Sequence, residues 1–165
     1  MAKIIAIGGL MYPLTPFFKD YDQVYAPNVE IWTKRQIHKL LDRVEHDSIL
    51  IGFSKGVEVA MKIAAGTNAI KEVYLHSGKS NILPPRYEGA LMVFFLTRKD
   101  RKTEQWVRDA HAKFTRLGYL TVLHELNPLP LPPYGKCLVR EWMDRNNHQF
   151  HNCIPLLKEQ YGLLK

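Results

Sequence analysis

The residues best suited to chemistry lie in the stretch Gly52-Phe53-Ser54-Lys55-Gly56. A serine hydroxyl is a weak nucleophile until it is exposed and held beside a base. The Gly-x-Ser-x-Gly spacing meets the first condition when a strand precedes it and a helix follows. Here "SILIGF" is apolar up to the serine, and the helix formers "VEVAMKIAA" follow at once. A sharp strand-to-helix turn would lift the side chain out of the sheet. The glycines on either side would let neighbouring backbone come close. The free N–H groups of the helix start would face a developing oxyanion. The plainer alternative is a serine N-cap between two turn glycines.

Such a nucleophile needs a base, and the chain has seven histidines. His38, His46 and His111 fall in or near helices, His76 ends a strand, and His124 lies in or just after the last one. Only His148 and His151 sit clearly past the final strand, in a loop able to return over the strand ends. His148 is the preferred base, with His151 in reserve. An acid that orients the imidazole could be Asp100, just after a strand, or Glu125, at the end of the next.

The elements that must position these groups follow from the apolar pattern. Buried strands are predicted at residues 3–7, 48–53, 73–75, 91–96 and 119–123, with a short one at 23–25. Helices are predicted at 31–44, 57–65, 103–117, about 137–145 and about 155–161. Residues 10–20 read as a loop with exposed aromatics, and 127–135 as a proline-rich connection. Strands alternate with helices, so the fold class is α/β. The expected architecture is a three-layer α/β/α sandwich around a mostly parallel six-stranded sheet, one domain over residues 1–165. In such sheets the site lies beyond the carboxyl ends of the strands.

With that placement, GFSKG resembles the nucleophile elbow of the α/β-hydrolase family. The resemblance spans nearly the whole chain. It implies a triad in the order serine, acid, histidine. Asp100 follows "LMVFFL" where the family's acid stands, although Thr97 replaces a usual glycine. His148 matches the histidine turn, with Asn147 where glycine is common. Gly8-Gly9-Leu10 matches the oxyanion element, having lost its histidine, so the backbone N–H groups of Leu10 and Lys55 would form the oxyanion hole. The implied strand order is 2-1-3-4-5-6. The short connection 76–90 leaves room for only a small lid, and the aromatic loop 12–21 would wall one side of the cleft. The implied activity is hydrolysis of an ester or thioester without a cofactor. The departures at Gly8, Thr97 and Asn147 leave a non-catalytic binding protein, for instance for an anionic ligand, as the rival expectation.

Bulk properties narrow the remainder. At 165 residues the chain can bury a substantial core. No apolar run reaches membrane-spanning length, and a cytoplasmic location is expected. Cys137 and Cys153 form no metal-ligand pattern and are expected as free thiols. The dinucleotide and P-loop glycine patterns are absent. The net charge of +7 is spread out apart from Arg98-Lys99-Asp100-Arg101-Lys102. This cluster leaves an anionic substrate open, whereas nucleic-acid binding has no aromatic–basic motif behind it.

Overall fold

The computed structural model describes residues 3–80, 83–130, 132 and 137–165, with 137 and 138 as backbone alone. The expected proline-rich connection over 127–135 therefore lies partly outside the described residues, as does the thiol of Cys137. The strands are β1 (Ile4–Ile7), β2 (Val24–Tyr25), β3 (Ser48–Phe53), β4 (Ile70–His76), β5 (Leu91–Thr97) and β6 (Leu120–Leu126). They form one sheet in the order β2-β1-β3-β4-β5-β6, and every pairing is parallel. The helices are α1 (Thr15–Phe18), α2 (Lys34–Leu41), α3 (Lys55–Gly66), α4 (Glu104–Arg116), α5 (Cys137–Asn146) and α6 (Ile154–Glu159).

The sheet is buried on both faces, which explains why its strands read as continuous apolar runs. Side chains nevertheless alternate along each strand. Ile5, Leu50, Val73 and Phe94 pack with Leu40 of α2, with α3 and with Phe114 of α4. Ala6, Ile51, Tyr74 and Phe95 pack with Phe18 of α1, Met143 of α5 and Leu157 of α6. The predicted layers and strand order are thus observed. Fully burying Phe53, Phe94 or Phe95 favours this arrangement by about 1.5–3 kcal/mol each.

The boundaries moved where tertiary contacts decide them. Strand β6 extends to Leu126 because it pairs with β5 from Leu91↔Leu120 to Thr97↔Leu126. Helix α2 starts at Lys34, capped by the Thr33 hydroxyl, which accepts from Gln36 N–H at 3.2 Å. Trp32 is drawn out of that helix, since its indole N–H donates to the Gly8 carbonyl at 3.1 Å. The expected aromatic loop contains α1, with Pro16 in its first turn. Tyr12 and Phe18 there are 3% exposed, so the loop's aromatics belong largely to the core. Helix α4 is closed, just past its C-cap Leu117, by Gly118, whose φ of 92° suits glycine. Among the described residues no helix is long and apolar enough to cross a membrane.

Candidate active site

Ser54 stands at the carboxyl end of β3, directly before α3. Its φ of 56° and ψ of −118° are strained for a non-glycine residue, and its side chain makes no capping hydrogen bond. The plain N-cap alternative is therefore not what the turn does. Close packing holds the strain in place. A Cβ on Gly56 would meet the Ile7 carbonyl oxygen at 2.1 Å, and one on Gly9 would meet Ser54 Cβ at 3.0 Å. Ser54 N–H donates to the His76 carbonyl at 3.1 Å.

The Gly8–Tyr12 segment faces this turn. Gly9 N–H donates to the Tyr12 carbonyl, and Met11 N–H to the Glu30 carbonyl at 2.8 Å. Together with the Trp32 bond, these tie the segment to the start of α2. A Cβ at Gly8 would lie 2.4 Å from the Tyr12 oxygen, so the turn has no room for a side chain there. The N–H groups of Leu10 and Lys55 take no acceptor among the described residues. The Lys55 ammonium pairs with Glu58, which also takes Lys62 at 3.2 Å. This offsets an unhelpful charge at a helix start.

Asp100 and His148 meet. His148 Nδ1–H donates to Asp100 Oδ2 at 2.8 Å, and the two side chains are 5% and 0% exposed. Asp100 also accepts from Thr103 Oγ1 at 3.0 Å and from Lys102 N–H at 3.1 Å. The His148 ring lies between Phe53, at 4.9 Å between centroids, and Trp142, at 5.5 Å. Asn147 has φ 53°, the left-handed region that asparagine tolerates best after glycine. This accounts for asparagine where the resemblance led one to expect glycine.

The two reserve residues go elsewhere. Glu125 lies inside β6 and pairs with Arg108 across the surface. His151 Nε2–H donates to the Pro130 carbonyl at 3.0 Å, and burial lowers the ring's pKa.

Ser54 and His148 line one cavity of about 420 Å3 together with Leu10, Tyr12, Trp142 and Met143. The two do not hydrogen-bond to each other among the described residues. The lining is mostly apolar and, among the described residues, holds no Lys, Arg, Asp or Glu. Burial pushes the Tyr12 phenol up to about 12. The α5 wall was missed in the sequence. Val139, Trp142 and Met143 recur at helical spacing just before His148, and that signal was available.

A buried polar network was also missed. His76 Nε2–H donates to Asn152 Oδ1 at 2.8 Å. The Asn152 amide donates to Thr97 Oγ1 at 2.9 Å and to the Asn127 carbonyl at 3.2 Å. Thr97 in turn donates to the Gln149 carbonyl at 3.4 Å. His76 Nδ1 is left as acceptor for the Ser77 hydroxyl at 2.9 Å. The segment carrying His148 is thereby fastened to the ends of β4 and β5, and this is the use of the hydroxyl at Thr97.

Burial lowers the pKa of His76 to about 3; the Asn152 bond and the charge of Asp100 oppose that shift, while His148 and His151 add to it. The folded value lies below the unfolded one. The stabilising contribution is therefore complete above about pH 6.5 and is lost as pH falls toward 3. Urea-unfolding free energies should drop between pH 6.5 and 4.5, by up to about 1.4 kcal/mol per pH unit from this group. His76→Phe should flatten that slope, and an equally steep slope in the variant would refute the assignment.

Among the described residues no group of three or more His, Cys, Asp or Glu is placed to hold a metal ion. No protein-family model matches the sequence, and no curated protein matches it. Solved structures do. The fold is similar to a carboxylesterase from Bacillus cereus at TM-score 0.62 and 13% identity, covering 88% of each chain. It is also similar to a dienelactone hydrolase from Anabaena variabilis, at TM-score 0.59 and 12% identity over 88% of this chain and 84% of that one. A YdeN-like hydrolase from Pectobacterium atrosepticum matches at TM-score 0.55 and 15% identity over 77% of each chain. The chain has the α/β-hydrolase fold.

Proposed function

We propose that the protein is a serine hydrolase that cleaves a carboxylic ester or thioester through an acyl-enzyme on Ser54. The observation that carries this reading is the buried Asp100–His148 pair opening on the cavity that holds the strained Ser54. With Nδ1 engaged by Asp100, Nε2 is the nitrogen that takes the serine proton as Oγ attacks the carbonyl carbon. The N–H groups of Leu10 and Lys55 receive the negative charge of the tetrahedral intermediate. His148 then protonates the leaving group, and a water activated by the same nitrogen releases the acid. Asp100 stabilises the imidazolium at both stages. No cofactor takes part in these steps.

A non-catalytic scaffold was motivated by the departures at Gly8, Thr97 and Asn147. Each has a structural account that leaves the proposed machinery intact: a tight turn, a hydroxyl that anchors the histidine segment, and a left-handed backbone. The apolar cavity favours an uncharged acyl group of short to medium length. The wild-type protein should hydrolyse p-nitrophenyl butyrate well above the buffer rate. Absence of turnover across the acetate, butyrate and octanoate esters would sink the proposal.

A further inference from the structure

The proposed reaction leaves one charged feature unused, the turn Arg98-Lys99-Asp100-Arg101-Lys102. Asp100 is its buried member, and the four cations around it are exposed. None of the four forms an ion pair among the described residues; the Arg98 guanidinium donates to the uncharged Asn127 side chain, at 2.7 Å. The nearby acids are already engaged. Glu104 and Glu125 both pair with Arg108, and Asp100 accepts from His148.

The turn is also firmly built. Asp100 N–H donates to the Thr97 carbonyl, Arg101 N–H to Lys99, and Lys102 N–H to the Asp100 carboxylate. Its aspartate touches His148, and His148 lines the cavity. Four cations thus flank in sequence the aspartate that holds the group proposed to perform the proton transfers. The described lining residues are mostly apolar, which suits an uncharged acyl group, although the charge of Arg140 reaches Tyr12 among them.

From this arrangement, and resting on the serine-hydrolase reading, we propose a substrate class. It is an ester or thioester with an apolar acyl group for the cavity and a phosphate-bearing leaving group drawn in by Arg98, Lys99, Arg101 and Lys102. Several charges on one leaving group make best use of several guanidinium and ammonium donors. With a thioester, the bond from the carbonyl carbon to Ser54 Oγ forms and the C–S bond breaks. The serine proton passes through His148 to the departing thiol, and water then gives the free acid and restores the hydroxyl.

The test compares kcat/KM for octanoyl-coenzyme A with that for the uncharged octanoyl thioester of N-acetylcysteamine. At about 20 mM ionic strength the charged thioester should be favoured by roughly tenfold or more, and the preference should shrink at about 0.5 M. In the triple variant Lys99→Gln, Arg101→Gln, Lys102→Gln the ratio should fall toward one. Equal values in the wild type, or a preference insensitive to salt, would overturn the proposal without touching the hydrolase reading, and the wild-type salt series decides this even if the variant fails to fold. A preference retained in a folded variant would overturn the role of the turn. Failure to hydrolyse either thioester or any p-nitrophenyl ester would remove the hydrolase reading, and this substrate class with it.

Discussion

Asp100→Asn is expected to lower kcat for ester hydrolysis by on the order of 10^4-fold while leaving KM and the fold nearly unchanged. The size follows from the bonds that Asp100 makes. Its two oxygens accept from His148 Nδ1–H, Thr103 Oγ1–H and Lys102 N–H. An asparagine has one acceptor oxygen, so its NH2 must face one of these donors. If it faces His148, the ring moves its proton to Nε2 and can no longer accept from Ser54. If it faces Lys102, that N–H loses its acceptor within the turn. In either case the negative charge that would stabilise the imidazolium is gone. Glu125→Gln is the matching control. It removes the other acid suggested by the sequence, one paired with Arg108 away from the cavity, and should leave kcat unchanged. Steady-state kinetics of both variants decides the matter, and equal effects would contradict the role given to Asp100.

Gly56→Ala should be the most damaging conservative change at the elbow. Its Cβ would lie 2.1 Å from the Ile7 oxygen and 2.7 Å from the Gly8 oxygen. Both are backbone atoms of β1 and the adjoining turn, and neither can swing aside as a side chain would. Overpacking against fixed backbone costs about 3 kcal/mol, and the clash here is at the upper end. For a chain of this size that corresponds to a fall in Tm of roughly 6–12 °C. Any relaxation moves the start of α3 away from β1, so the Leu10 and Lys55 N–H groups separate and turnover should fall in the residual folded protein as well. Gly66→Ala offers the contrast, because a Cβ there meets nothing within 4 Å. It should leave Tm nearly unchanged. Thermal denaturation of the pair tests the packing account, and a Gly56→Ala protein as stable as Gly66→Ala would refute it.

How far the sequence reading reached depended on whether a feature is local. The sheet order and layers were legible because the four inner strands β1, β3, β4 and β5, largely buried on both faces, leave apolar runs separated by helical stripes. The elbow was legible because its glycine spacing and its strand-to-helix context lie within twenty residues. Asp100 and His148 were named from chain order, and the structure joins the two while Glu125 pairs with Arg108 and His151 with the Pro130 carbonyl. The length of β6 comes from pairing with β5 and has no signature within β6 itself. The start of α2 was misjudged for a similar reason. Trp32 fits the helical stripe, but its indole is committed to Gly8, 24 residues away. The His76–Asn152–Thr97 network joins positions 76 and 55 residues apart, and no local pattern announces such a pairing. Asn152 lies in the short 3-10 turn His151–Cys153, which has no apolar period to mark it.

The central claim is that Ser54 is an activated nucleophile. Incubation with a fluorophosphonate, followed by mass spectrometry of the digested protein, tests it most directly. The reagent bonds only to a serine made nucleophilic by its surroundings. The account predicts one adduct, on the peptide containing Ser54, absent from Ser54→Ala and greatly slowed in Asp100→Asn. An unlabelled wild-type protein, or an adduct that persists in Ser54→Ala, would contradict it.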